Sequence, residues 1–324
     1  MGATLRRLLT RLGPFIGLIL VIGLFALAVP RDETGGQIFF AYGNFKIILT
    51  QTVIVALGAL GMTMIIVSGG IDLSVGSTIA LSSVVGALLI KHGWGPVPVL
   101  CTMIAAAGFV GLLNGALIAG LRMTPFIITL GMLGIARGTA KWLADDQTVN
   151  YDGSPINGWM TTADPFSHAL PAGVWVTVVL AVLTAVLLRS TIFGRHLFAI
   201  GSNETAARYS GIRITRNKVL VYTVAGGFFG LAGLMQLSRL RQGDPTVAVG
   251  LELDIIAAVI IGGASLSGGV GTVLGSMIGA LIMAVLRNGS QQMGWPTYFQ
   301  EIIIGLVIIV AVFLDRLRQG RAAH

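Results

Sequence analysis

GGIDLSVGSTIALSSVVGALLI, residues 69–90, and GGASLSGGVGTVLGSMIGALIM, residues 262–283, align without a gap at an offset of 193. Ten of the 22 positions are identical, including the double glycines Gly69-Gly70 and Gly262-Gly263 and the pairs Leu73-Ser74 and Leu266-Ser267. Apolar sequences share small residues by chance, but a double glycine and a Leu-Ser in one register are harder to obtain that way. A parallel internal repeat follows. Each copy breaks into an apolar run with Gly-Gly and then a polar residue, Asp72 in the first and Ser265 in the second.

Asp and Ser differ in charge yet both accept hydrogen bonds from the free N–H groups at a helix start. Glycine lets the chain leave helical geometry at little steric cost, and a carboxylate complements the positive end of the helix dipole. The spacing therefore predicts two broken helices, each with Gly-Gly as the break and Asp72 or Ser265 capping the helix that follows. The other reading of Asp72 is a proton or cation site, because an aspartate at lipid depth is costly, about 2.5–3.5 kcal/mol on insertion scales, and usually functional. A serine at the equivalent position favours the cap. Interrupted helices are also where transporters build their substrate paths. Gly69, Gly70, Asp72, Ser74, Gly262, Gly263, Ser265 and Ser267 are thus candidates for both the break and the path.

The surroundings are those of a membrane. Of 324 residues, 55% are hydrophobic and 10% charged, against about 25% charged in a soluble domain. Mean hydropathy is +0.88. A crossing needs about 20 apolar residues. Uncharged runs occur at 12–30, 47–71, 73–90, 93–121, 123–136, 169–188, 219–238, 255–286 and 302–314. The run 255–286 is too long for one crossing and contains GGASLSGG, so it is split, its first half borrowing Leu253 and Glu252. The run 123–136 extends past Arg137 toward Trp142, and 302–314 backward to Tyr298. The expected fold is all-α and polytopic, with about ten crossings in one membrane domain over 1–324.

Taking both termini as cytoplasmic places 13 of the 21 basic residues inside: Arg6, Arg7 and Arg11; Arg122; six between Arg189 and Lys218; and Arg316, Arg318 and Arg321. The positive-inside bias selects that orientation. The acidic, turn-rich segment 144–170 then falls outside and the basic segment 189–217 inside. Arginines before the run 12–30 and an Ala26-Leu27-Ala28 triplet imitate a signal peptide, but the run is long enough to be a retained first span. The net charge of +8 lies beside spans, with no basic helix or soluble domain for nucleic acid. Cys101 is the single cysteine, so no intramolecular disulfide exists, and the four histidines show no metal-ligand spacing.

Within 189–217, GRHLFAIGSNETAARYSGI (194–212) carries the grammar of a short helix. Ser202 or Asn203 can cap it, Glu204 stands in the first turn with Arg208 four residues on, and Gly211 can end it. Two turns are unstable alone in water. They need a brace, either the membrane surface or a docked partner, and the small residues Ala206 and Ala207 favour the partner. Among polar residues within spans, Asn114 in GLLNG and Gln236 in LMQLS are candidates for facing a hydroxylated substrate, with interhelical hydrogen bonding as the commoner role of such residues.

GGIDLSVGS, GRHLFAIGSNETAARYSGI and ELDIIAAVIIGGASLSGGVGT (252–272) together resemble the membrane permeases of bacterial ABC sugar importers, of the binding-protein-dependent ribose, xylose and galactose type. The resemblance covers roughly residues 45–315. It implies an inner-membrane location, a second permease copy (identical or paralogous), a periplasmic sugar-binding protein and cytoplasmic ATPase subunits that carry ATP and Mg. It also implies that Gly201, Asn203, Glu204, Ala206, Ala207, Arg208 and Gly211 belong to the coupling helix that fits a groove on the ATPase. The residues agree with divided labour: no G-x-x-x-x-G-K-[ST] loop exists, so this chain is expected to bind no cofactor and to catalyse no reaction. Branched-chain amino acid permeases are a neighbouring class. An ion-coupled transporter would need more intramembrane carboxylates than Asp72, an intramembrane serine protease lacks a histidine base in a later span, and a channel lacks charged rings.

Overall fold

A computed structural model describes residues 3–30, 37–160 and 169–320, and they form an almost wholly helical protein. Twelve α-helices follow in chain order: α1 (Ala3–Ala28), α2 (Tyr42–Val67), α3 (Val75–Lys91), α4 (Pro96–Leu121), α5 (Pro125–Leu143), α6 (Ala172–Ser190), α7 (Ile192–Ser202), α8 (Glu204–Tyr209), α9 (Ile214–Leu240), α10 (Leu251–Ile261), α11 (Val273–Gln292) and α12 (Thr297–Gly320). Five of them, α2, α4, α6, α9 and α11, are long and apolar enough to cross a membrane. Three shorter apolar stretches, Leu12–Ala28, α3 and Thr297–Val310, add to these. The remaining runs read from the sequence became α5, which carries Arg137 and Lys141, and α10, with only 11 residues. Part of the acidic segment, 161–168 with His168, lies outside the described residues, as do Arg321 and His324.

α2 is the hub. Almost nine-tenths of its apolar window is buried, 89%, and it packs against α9, α11, α10 and α6. Such all-round burial fits a helix that is apolar on every face. Around it α3 lies on α9, α4 and α5, α10 pairs with α11, and α1 and α12 flank that pair. Phe25 of α1 is buried against Gly289 of α11 and stacks near Phe39 and Trp295. α6 keeps only 22% of its window buried and presents an apolar outer face.

The closest seam joins α4 and α9, and its sequence basis is two G-x-x-x-G motifs, Gly111–Gly115 and Gly226–Gly230. Small residues let helix backbones approach where lipid offers no hydrophobic driving force between helices. Added Cβ atoms would meet backbone here: on Gly115, 2.7 Å from Val219 Cα; on Gly230, 2.9 Å from Ile104 Cα; on Gly226, against the Ala107 carbonyl.

Two irregular segments matter for function. The α2–α3, α4–α5 and α10–α11 turns gather with α7 and α8 at one end of the bundle, around Gly69, Arg122, Gly201, Glu204 and Gly268. Toward the other end, Val149–Asn150 pairs antiparallel with Gln242–Gly243, and the chain then turns back down. Gly243 lies against Val84 and Ala87 of α3, whereas the Ala248 carbonyl abuts Gly76. Loop 244–250 therefore descends about half the length of α3, at about 1.5 Å per helical residue, before α10 begins. Its carbonyls are not left bare: Arg137 Nη1 donates to Pro245 O at 2.8 Å and Val247 O at 2.6 Å. This explains both the shortness of α10 and the charge inside α5.

Gly226→Val should force the α4–α9 seam apart and lower stability by about 1–3 kcal/mol, as overpacking does. The neighbouring Gly227→Val meets only the Ile104 side chain at 3.8 Å and should be tolerated. Thermal unfolding of the detergent-solubilised protein compares them, and equal midpoints would refute the seam as the tight contact.

Candidate functional site

Each double glycine falls at a helix end. α2 stops at Val67; Gly69 takes φ +81°, its N–H donates to Ile66 O at 2.9 Å, and Gly70 N–H reaches Ile65 O at 3.0 Å. α10 stops at Ile261; Gly263 takes φ +93°, with Gly263 N–H to Ile260 O at 2.8 Å and Ala264 N–H to Val259 O at 3.1 Å. Both are left-handed glycine terminations of the Schellman kind. The turning glycines differ by 194 rather than the 193 of the sequence register.

After the turn the two copies repeat a second device. Asp72 Oδ1 accepts from Ser74 N at 2.8 Å and from Ser74 Oγ at 2.6 Å. Ser265 Oγ accepts from Ser267 N at 3.3 Å and lies 2.8 Å from Ser267 Oγ. Each is a side-chain turn spanning two residues. The expectation that Asp72 and Ser265 cap the following helices is corrected on this point. Ser74 is the first-turn boundary of α3 and has no side-chain cap bond, so Asp72 fixes the approach to the helix instead. At the second site Thr272 caps α11 by accepting from Gly275 N at 3.1 Å. α11 begins at Val273, five residues later in register than α3 at Val75. The cause is glycine: Gly268 and Gly269, at φ +85° and +71°, hold non-helical backbone where the first copy has Val75 and Gly76.

Asp72 is 1% exposed. Its Oδ2 accepts from Asn114 Nδ2 at 3.3 Å, and the same amide donates to Ser74 Oγ at 3.0 Å. Beside it, Tyr222 Oη and Thr129 Oγ1 donate to the Ile71 carbonyl at 3.2 and 3.4 Å. The first break is thereby tied to α4, α5 and α9 by hydrogen bonds that replace water for a buried carboxylate. No basic side chain pairs with Asp72 among the described residues, and no group of three metal-ligating side chains occurs among them. Asn114 thus bonds across helices, whereas Gln236 opens on a cavity between α2, α9 and α11.

The short helix forms as its grammar suggests. Of Ser202 and Asn203, Asn203 supplies the cap, its Oδ1 accepting from Ala206 N at 2.9 Å. Glu204 bonds Arg208 at 2.9 Å and also Lys218 at 2.7 Å, an α9 partner that sequence reasoning counted only as a surface charge. Gly211, at φ +82°, closes the helix with Ile212 N–H to Ala207 O at 3.1 Å. Ala207 faces inward against Ile200 and Ile214, while Ala206 and Tyr209 face out, Tyr209 at 89% exposure. The two alanines therefore do not share one face.

Gly201, at the end of α7, joins this helix to both breaks. A Cβ there would run into the Val67 carbonyl and come 2.6 Å from Gly269 N. Gly269 N–H itself donates to Val67 O at 2.9 Å. A Cβ on Gly268 would lie 2.9 Å from both Gly201 Cα and Gly69 Cα. Three segments meet backbone to backbone. The glycine richness of each was visible in the sequence; their mutual contact was not.

A family model described as the branched-chain amino acid transport system / permease component matches residues 44–312. The chain belongs to that family. It is 41% identical to the ribose import permease protein of Bacillus subtilis, over 94% of this chain and 92% of the relative. It is 33% identical to the galactose/methyl galactoside import permease protein of Escherichia coli K12, covering 94% of each. With the L-arabinose ABC transporter permease protein of Azospirillum brasilense it shares 31% identity, over 97% of this chain and 90% of the relative. No solved structure matches the chain.

Asp72→Asn keeps the Oδ1 acceptor and should leave the thermal midpoint close to that of the unmodified protein. Asp72→Ala strands Ser74 and Asn114 and should cost about 1–3 kcal/mol; an asparagine as damaging as alanine would require the charge itself. Glu204 is held below the usual carboxylate range, first by the hydrogen bond from Lys218 and then by Arg208, against some desolvation. A depressed carboxylate stabilises the fold above its unfolded value and loses that contribution as pH falls through the lower folded one. Amide exchange across 203–211, normalised to intrinsic rates, should thus rise only below the ordinary carboxylate range, and Lys218→Met should raise it at neutral pH.

Proposed function

We propose that this chain is the permease subunit of an ATP-driven importer for a sugar delivered by a periplasmic binding protein. The observation that carries the reading is the likeness, across nine-tenths of the chain, to permeases named for the import of ribose, galactose and arabinose. The family description names branched-chain amino acids instead, which keeps an amino-acid permease as the second reading. In either case hydrolysis takes place on a partner ATPase holding ATP and Mg, and this chain converts its movement into access.

The architecture proposed with it has ten crossings in the bacterial inner membrane, α1 to α6 and α9 to α12, with both termini cytoplasmic and a second permease copy completing the path. Support comes from the gathering of Arg122, Arg208 and Lys218 at the same end of the bundle as the Gly69 and Gly268 turns, the distribution the positive-inside bias favours on the cytoplasmic side. The two repeat copies then run in the same sense. α8 offers the ATPase an outward face of Thr205, Ala206 and Tyr209. Behind that face Gly201 touches both helix breaks, so a push on α7 and α8 reaches them without a compressible side chain between. Asp72, locked by Ser74 and Asn114, serves as a fixed point of the moving part and not as a carrier of protons.

Uptake of labelled ribose, galactose and arabinose in cells, with the partner ATPase intact or lacking its nucleotide-binding lysine, tests the importer assignment; uptake that persists without ATP hydrolysis sinks it. Tyr209→Asp, on the exposed face of α8, should reduce co-purification of the ATPase by about tenfold, the loss of one anchoring contact at an interface, while membrane abundance is preserved. Undiminished co-purification would move the docking face elsewhere.

A further inference from the structure

Apart from the Asp72 cluster, five hydrogen-bonding side chains face one cavity near the opposite end of the bundle: Gln51 of α2, Gln236 and Arg239 of α9, and Arg287 and Gln291 of α11. Its remaining wall includes Ala248 and Val249 of the descending loop. Polar groups at this depth are costly and must be satisfied or used. Little of this set is satisfied. Gln51 Nε2 donates to Gln291 Oε1 at 3.3 Å, yet Gln51 Oε1 and Arg287 Nε are buried without a partner. Gln236 and Arg239 make no hydrogen bond or ion pair among the described residues. Arg287 is neutralised by the buried Asp254, which leaves its Nε without a partner.

The chemistry of the set narrows the ligand. Three glutamines each offer both an N–H pair and a carbonyl, so the lining matches groups that donate as well as accept. One guanidinium is balanced by Asp254, and the other, Arg239, presents a planar fork of donors. Groups that donate and accept in turn, on adjacent carbons, fit such a lining. No aromatic ring lines the cavity, and a site without one holds weakly enough to release, as a station on a path must. The descending loop is irregular backbone at membrane depth, which is tolerated only against protein or a water-filled space. Arg137 satisfies its outer carbonyls, leaving residues 248–249 to the cavity.

We infer that this cavity is a transient binding station for a neutral polyhydroxylated solute of sugar size, with Gln51, Gln236 and Arg239 as its specificity-determining contacts. The inference rests on the importer reading above and assigns its substrate contacts.

The test uses the complete transporter, permease with its ATPase and receptor, in proteoliposomes, with labelled D-ribose, D-galactose and L-arabinose as probes. The readout is sugar moved per ATP hydrolysed. Gln236→Leu and Arg239→Leu should each lower it about tenfold, the scale of one net hydrogen bond lost, and Arg239→Lys should recover part of the loss. A ratio unchanged in both leucine variants, even with total activity reduced, overturns the station. An unmodified transporter that prefers D-ribonate to D-ribose overturns the neutral class. In a Cys101→Ser background, Gln236→Cys should react with a membrane-impermeant thiol reagent, and the transported sugar should slow that reaction; indifference to the sugar also overturns the proposal. Failure of the unmodified transporter to move any of the three sugars, or movement without hydrolysis, removes instead the importer reading on which it rests.

Discussion

The hydrogen bond from Gly269 N–H to the Val67 carbonyl, with Gly201 laid across both, is the contact on which the arrangement turns. It brings together the end of α2, the α10–α11 turn and the end of α7, segments far apart in the chain. No side chain fits between them, so the separation is set by backbone atoms alone. Side-chain contacts yield by rotamer changes; apposed backbones move as rigid bodies or separate. The junction consequently holds the two double-glycine turns and the end of α7 in direct backbone contact.

The two breaks are held by different means. The first is fastened by polar bonds: Asp72 to Ser74 and Asn114, and the Ile71 carbonyl to Tyr222 and Thr129. Asn114, Thr129 and Tyr222 come from α4, α5 and α9, so the α2–α3 turn is anchored to three helices. The second has no charged group and relies on glycine: Gly262 lies against Gly275, and Gly263, Gly268 and Gly269 all sit at positive φ. Such backbone has more conformations open to it. Of the two, the α10–α11 turn is the one fitted to change shape. That asymmetry also accounts for the single carboxylate. A buried charge is tolerated where three donors are fixed around it and would be a liability beside backbone without such donors.

Much of this was legible in the residues, and the rest was hidden for definite reasons. Helix ends at both double glycines, the Asn203 cap, the Glu204–Arg208 pair and the Gly211 stop all depend on local chemistry, which a window of a few residues contains. The alignment of Ser265 with Asp72 holds for the side-chain turns, but not for the helix start, because helix resumption is decided by backbone propensity, and Gly268 and Gly269 postpone it to Thr272. Asn114 and Gln236 were indistinguishable as polar residues in apolar runs; only packing sends one to Asp72 and the other to a cavity. Arg137 in α5 and Lys218 in α9 looked like charges to be accommodated at span ends. They brace loop 244–250 and Glu204, the first partner 108 residues away and the second 14.

The loop and the junction are coupled through the shortness of α10. Because residues 244–250 descend beside α3 before helix resumes, only Gly250 and the 11-residue α10 separate the cavity wall at Ala248 and Val249 from the turn at Gly262. An α-helix transmits displacement along its axis with little loss, since every backbone bond would have to lengthen to absorb it. Asp254, in the first turn of α10, is paired with Arg287 of α11, so the same short rod is clamped to its neighbour at the cavity and crosses it through Gly262 and Gly275 at the junction. A tilt of α10 driven at the glycine end must therefore move the cavity wall. In a helix of ordinary crossing length, bending and lipid contacts would dissipate part of that motion. The descending loop thus leaves the cavity wall and the Gly262 turn joined by one short helix.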